Sequence, residues 1–193
     1  MSEQNRKGRL QLVLLVTVFF GPLILAWLVY SLDIDLSSGR STAHGILIAP
    51  VKLVEDSSLS VPREEQDSPY PGRWTLALAL DGACDNLCEK LLYETRQVRV
   101  ALGKEDRRVQ RIVFLTGHTP LDATVLAKHP GVRIFSPDSA LAGEFFAAIE
   151  PYGTDNVFLI DPLGNLIMRF TADTSMKDMH KDLHKLLTIS QIG

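Results

Sequence analysis

The sequence predicts an α/β fold, a mixed sheet with helices on both faces, preceded by one N-terminal transmembrane helix. Three observations predict it: a long uncharged run near the N-terminus, an alternation of strand-length and helix-length apolar patterns from Trp74 onward, and a hairpin signal near the C-terminus. The length of 193 residues allows one domain plus an appendage. With 46% hydrophobic residues, 22% charged residues and a net charge of -3, the chain is too apolar to be disordered and too acidic to bind nucleic acid through bulk charge. A mean hydropathy of +0.08 conceals a split, because the apolar excess is concentrated at the N-terminus.

The stretch Leu10 to Leu32 carries no charge, and a helix rising about 1.5 Å per residue needs about 20 residues to cross the hydrocarbon core. Gly21 and Pro22 fall mid-span, which membrane helices tolerate, and Trp27 and Tyr30 stand near the far end, where amphipathic rings favour the interface. Arg6, Lys7 and Arg9 precede the run, whereas Asp33 and Asp35 follow it and no cation appears until Arg40. This one-sided bias predicts a cytoplasmic tail over 1–9, a single-pass anchor over 10–32 in the inner membrane, and an exported body in the periplasm or an equivalent oxidising space. A cleaved signal peptide would need a small-x-small site, of which Ser37-Ser38-Gly39 is a poor version, so an uncleaved anchor is expected.

Residues 33–73 read as a linker dense in turn signals, among them Pro50, Pro62, Pro69 and Pro71-Gly72. His44 to Ile48 and Val51 to Val54 are short apolar pieces within it, suited to edge strands or hairpin arms. The domain proper is expected over 74–193. Trp74 to Leu80 and Arg111 to Leu115 are apolar runs of strand length, and between them Leu87, Leu91, Leu92, Val98 and Leu102 recur at a helical period over Cys84 to Leu102. Strand, helix, strand implies a right-handed crossover and a parallel pair. A helix over Asp122 to His129 ends at Pro130-Gly131, a strand follows over Val132 to Phe135, and Ser139 caps a helix to Ile149. Val157 to Ile160 and Leu166 to Phe170 flank Asp161-Pro162-Leu163-Gly164-Asn165 as a hairpin, and Ser175 to Leu187 closes the chain as an amphipathic helix. This order is the plan of a thioredoxin-like fold.

Both cysteines stand in Asp81-Gly82-Ala83-Cys84-Asp85-Asn86-Leu87-Cys88, after the first domain strand and at the start of the first domain helix. Unpaired N–H groups and the positive helix end favour thiolate there, while Asp81 and Asp85 oppose it by like-charge repulsion. If the helix begins at Cys84, spacing i, i+4 puts both sulfurs on one face, able to form a reducible disulfide or to hold one Cu(I).

On these residues the sequence resembles the Sco (SenC) family of membrane-anchored, thioredoxin-like copper chaperones that serve cytochrome c oxidase assembly. The resemblance rests on the anchor, the C-x-x-x-C after a Trp-initiated strand, and Val157 to Asn165, and it is closer to a divergent Sco-like branch that shares blocks such as Cys88 to Arg99. It covers roughly Trp74 to the C-terminus. It implies that Cys84 and Cys88 are copper thiolates and catalytic thiols, that Cu(I) is the metal handled, and that the partners are a cytochrome c oxidase subunit or assembly factors, exported protein thiols and the membrane. The family's third ligand, a histidine just before the strand at Val157, is absent: Gly153 or Asn156 takes its place. The proline after the second cysteine is replaced by Glu89.

His118, at the carboxyl end of the Arg111 to Leu115 strand, is the candidate replacement metal ligand, since that sheet edge is where the Cys84 loop also departs. His180 and His184 stand i, i+4 in a highly charged helix without a third ligand nearby in sequence, which reads as a solvated face. Met168, Met176 and Met179 read as filler, and Arg96, Arg99, Arg107, Arg108 and Arg111 as solvated flank. Two functions follow as expectations: a factor of cytochrome oxidase biogenesis acting by Cu(I) handling or thiol reduction of the copper acceptor, and a thiol-disulfide oxidoreductase of exported proteins without a copper role.

Overall fold

The computed structural model describes residues 3–31, 43–54 and 72–192 of the chain. They form two compact units, Met1–Thr42 and Ala43–Gly193. The first contains helix α1 (Glu3–Ser31), which continues through Pro22 and leaves Leu12, Phe19, Leu25 and Trp27 exposed. Among the described residues no helix is long and apolar enough to cross a membrane. The expected span takes in Leu10, Ala26, Val29 and Tyr30, whose side chains lie outside the described residues, and Leu32, which lies wholly outside them. The linker over 33–42 and 55–71 also lies outside.

The second unit contains β1 (Ile46–Leu53), β2 (Trp74–Leu80), α2 (Asn86–Ala101), β3 (Val109–Leu115), α3 (Ala123–Lys128), β4 (Val132–Phe135), α4 (Ala140–Ile149), β5 (Asn156–Ile160), β6 (Asn165–Thr171) and α5 (Met176–Ile189). The sheet order is β1-β6-β5-β2-β3-β4. Strands β2, β3 and β4 run parallel, and β5 lies antiparallel to β2 on its other side. The thioredoxin-like plan is therefore present, with an edge strand from the expected linker: β1 is one strand through Pro50, not two arms, and pairs antiparallel with β6 through a register shift between Leu47 and Lys52.

Every residue of β2 and β3 is buried, as expected for strands covered on both faces. Burial of a Leu side chain contributes about 1.5–3 kcal/mol, so Leu76, Leu78 and Leu80 alone make β2 a strong anchor of the sheet. One face is aliphatic, with Leu91, Leu92 and Val98 of α2 and Leu183 and Leu187 of α5 packed on Leu78 and Val113. The other is aromatic: Phe145 of α4 stacks on Phe114 at 4.3 Å between centroids and meets Phe158 edge-on. Strand β3 begins at Val109, two residues before the expected Arg111, because Val109 is buried and Gln110 is buried through a polar partner, as Arg111 is within the strand. Gln110 Nε2 donates to Thr75 Oγ1 at 2.9 Å, and Arg111 Nη2 donates to the Pro130 carbonyl at 2.8 Å. The β5–β6 turn is held as its residues dictate, Asp161 Oδ1 accepting from the amides of Leu163 and Asn165.

Candidate functional site

The sheet reverses direction of growth at β2: the chain moves from β2 to β3 and β4 on one side and places β5, β6 and β1 on the other. Sites in α/β sheets assemble outside the carboxyl ends of strands at such a point. The loop leaving β2 turns at Asp81, whose carbonyl accepts from the Cys84 amide at 3.1 Å. Asp85 then caps α2, with Oδ1 accepting from the Cys88 amide at 2.9 Å. The helix therefore begins at Asn86, not at Cys84, because an aspartate that satisfies an orphan N–H is a better cap than interior residue. Cys84 stands outside the helix with φ 40°, a left-handed conformation costly for a residue with a side chain.

Cys84 and Cys88 form a disulfide, with Cα atoms 5.1 Å apart. Cys88 is 4% exposed, whereas Cys84 is half-buried at the mouth of a groove of about 210 Å³. A water's share of liquid volume is about 30 Å³, so the groove admits solvent or one incoming side chain rather than a large ligand. It is bordered by Asp81, Asp85 and Asp155, with Thr116 and Thr154. The negative charges and the Asp85 cap offset the positive helix end, so the site disfavours a free thiolate relative to an uncapped, uncharged terminus.

Thr154 and Asp155 reach the cysteines because β5 runs antiparallel to β2 in a register that pairs Leu78 with Val157, which carries the residues before β5 past the end of β2. Sequence reasoning pointed to Gly153 or Asn156 for this position. Asn156 is instead buried and donates through Nδ2 to the Tyr152 carbonyl at 2.9 Å, and Gly153 has φ 75°, so both shape the loop and neither lines the groove. The antiparallel register was the signal that would have identified Thr154 and Asp155.

His118 is also absent from the groove lining. Its side chain is 77% exposed and its Nδ1 lies 3.4 Å from Asp138 Oδ2. Its loop nonetheless packs on the cysteine loop, for a Cβ on Gly82 would collide with the Thr119 carbonyl, so only glycine permits this approach. His180 and His184 stack nearly parallel at 5.8 Å, with His180 Nε2 3.3 Å from the Ala101 carbonyl. Among the described residues no group of three or more His, Cys, Asp or Glu side chains could hold a metal ion. Met168 and Met179 are core residues, while Met176 is 38% exposed.

Residues 74–190 match the family model described as "transmembrane-like, thioredoxin-like, C-terminal domain", and residues 2–33 match "transmembrane-like, N-terminal domain". Among solved structures, apo Sco1 from Thermus thermophilus is similar at 17% identity and a TM-score of 0.56, over 79% of this chain and 99% of that one. Copper-bound yeast Sco1 is similar at 14% identity and a TM-score of 0.51, over 63% of this chain and 82% of that one. Copper-bound ScoI from Arabidopsis thaliana is similar at 12% identity and 0.50, over 63% and 88%. At these identities the shared property is the fold. No curated protein matches the chain.

Proposed function

Because the chain belongs to the family built of a transmembrane-like N-terminal domain and a thioredoxin-like C-terminal domain, we propose that it is a membrane-anchored, Sco-like factor whose Cys84–Cys88 pair reduces exported protein disulfides, the oxidised cysteine pair of a copper acceptor in cytochrome c oxidase biogenesis being the intended substrate. The observation that carries this reading is the accessible Cys84 joined to the buried Cys88 in a groove ringed by carboxylates. In the reduced protein, the Cys84 thiolate attacks one sulfur of the partner disulfide and the other partner sulfur leaves as thiolate. The Cys88 thiolate then attacks the Cys84 sulfur of the mixed disulfide, closing Cys84–Cys88 and releasing the second partner sulfur. Two electrons pass to the partner, its two sulfurs leave as thiols, and an external dithiol restores the protein.

A second reading has Cu(I) as cargo on the same two thiolates, favoured by the convergence of the sulfurs. Thr154 and Asp155 add only hard oxygen donors, so such copper would be held weakly and passed on readily. The apolar, exposed side chains of α1 support the anchor, since a helix that is apolar all round needs an apolar surrounding. The cations Arg6, Lys7 and Arg9 before the apolar run, against Asp33 and Asp35 after it, support an inner-membrane location with the domain on the periplasmic side.

The test is a trap: Cys88→Ser in the full-length protein, expressed in cells that assemble cytochrome oxidase, leaves Cys84 without its resolving partner. A mixed disulfide with an exported copper-site protein is expected. A trap that captures nothing, together with one-equivalent Cu(I) binding by the reduced wild type that is lost in Cys84→Ser, would put the cargo reading first.

A further inference from the structure

A second groove, of about 480 Å³, lies on the outer face of α2 between Glu89, Lys90 and Arg96 and the end of α3 at Lys128 and His129. Its sign is opposite to that of the cysteine groove. Glu89 Oε1 lies 3.8 Å from Lys128 Nζ, and Lys90 Nζ donates to the Ala172 carbonyl at 2.7 Å. Among the described residues Arg96 makes no ion pair, the nearby carboxylates of Glu89 and Asp106 pairing with Lys128 and Arg99.

Beside this groove Arg111 is only 2% exposed. Its Nη2 donates to the carbonyl of Pro130, the residue after His129, but among the described residues its Nε and Nη1 have no hydrogen-bond partner and it makes no ion pair with a carboxylate. Burial, and then repulsion by Arg99 and Arg96, push its guanidinium down to about 10. His129 lines the groove at 6% exposure with Nδ1 unpartnered, and burial, then Arg111, Arg96 and Lys128, lower its affinity for a proton. The nearby carboxylate of Asp106 is engaged by Arg99 at 3.7 Å. The buried Arg111 therefore stands without a counter-charge behind the half-buried Arg96, and a buried cation without a counter-charge is costly unless an anion comes near it.

We propose that this groove binds a phosphate monoester or inorganic phosphate. The charge count selects this class: a phosphate monoester carries about two negative charges at neutral pH, matching the two net positive charges that Lys90, Arg96 and Lys128 leave on the lining against Glu89, whereas a phosphodiester carries one. Arg96 supplies the planar fork that phosphate oxygens accept, Lys128 supplies a point charge, and Arg111 supplies field from behind the wall. The groove exceeds a phosphate in size, which leaves room for the group esterified to it. The inference is independent of the disulfide chemistry.

The experiment is isothermal titration of the full-length protein, in nonionic micelles, with inorganic phosphate at constant ionic strength. Saturable one-site binding is expected, weakened about tenfold in Arg96→Gln, the size of one charge-assisted hydrogen bond, and less in Lys128→Gln. Arg111→Met should weaken it as well if that variant unfolds cooperatively, and if it does not fold, Arg96→Gln decides alone. Repeating the titration in micelles containing phosphatidylglycerol separates the sources: an unchanged affinity supports the monoester, and competition by the lipid overturns it in favour of a headgroup. No saturable binding in the wild type, or equal binding by Arg96→Gln, would overturn the site.

Discussion

Helix α2 borders two grooves of opposite charge. At its first turn Asp81, Asp85 and Asp155 surround the Cys84–Cys88 disulfide, and along its outer face Arg96, Lys128 and the buried Arg111 gather around His129. Cys88 and Glu89 are neighbours in sequence, yet one faces the acidic groove and the other the basic one. The helix backbone is common to both, so the sign of each site is set by side chains. The β2–α2 loop and the residues before β5 bring carboxylates to the first turn, while Lys90 and Arg96 of α2 itself, with Lys128 at the end of α3 and Arg111 of β3, make the outer face basic. The positive helix terminus does not by itself make a reactive thiolate when its cap is an aspartate and two more carboxylates stand beside it.

The largest expected break in this comparison is at the cysteines. Cys84→Ser or Cys88→Ser should abolish exchange with a model disulfide while costing about 2 kcal/mol of stability at most, because the loop closed by the bond is short. Thermal unfolding that stays cooperative in both variants checks the second half. Gly82→Ala comes next: the new methyl meets the Thr119 backbone, and a loss of roughly 1–3 kcal/mol is expected in denaturant unfolding. Asp155→Asn sharpens the contrast without breaking it. Alkylation of the reduced protein at Cys84 should quicken about threefold, the size of one exposed charge interaction, whereas Arg96→Gln on the other groove should leave that rate unchanged.

The smallest effect is in pH. Burial and the neighbouring cations hold the His129 proton affinity below its ordinary value, so between the folded pKa and about 6.5 the unfolded chain binds more protons than the folded one. Stability should therefore fall as pH drops below about 6.5, and His129→Gln should flatten that slope in urea titrations at successive pH values.

Much of this was legible in the residues. The apolar run Trp74 to Leu80 has the length of a strand and is one, buried throughout, and the cysteines after its end mark the sheet edge where chemistry gathers. The turn at Asp161 to Asn165 is likewise written in its own side chains. What was missed depends on partners distant in sequence. Gln110 extends β3 only because Thr75 receives it, and Thr154 and Asp155 enter the groove only through the register of β5 on β2. Arg111 read as a solvated flank because arginines seldom lie buried, and the pattern of charges along the chain does not reveal which of them the fold encloses.

The most direct test of the reducing role is the reduction potential of the Cys84–Cys88 couple, read by equilibrating the full-length protein with glutathione or dithiothreitol buffers and trapping the free thiols. A couple whose thiolate is disfavoured should lie at or below about -270 mV, the value of a reducing thioredoxin. If reduction lets the left-handed backbone at Cys84 relax, the disulfide form carries a relative cost of about 1–2 kcal/mol. That cost corresponds to about 20–40 mV in the opposite direction, small against the ~150 mV that separates thioredoxin from a strong oxidant. A potential near about -120 mV would contradict the account, since it would mean that the thiolate is stabilised despite Asp81, Asp85 and Asp155.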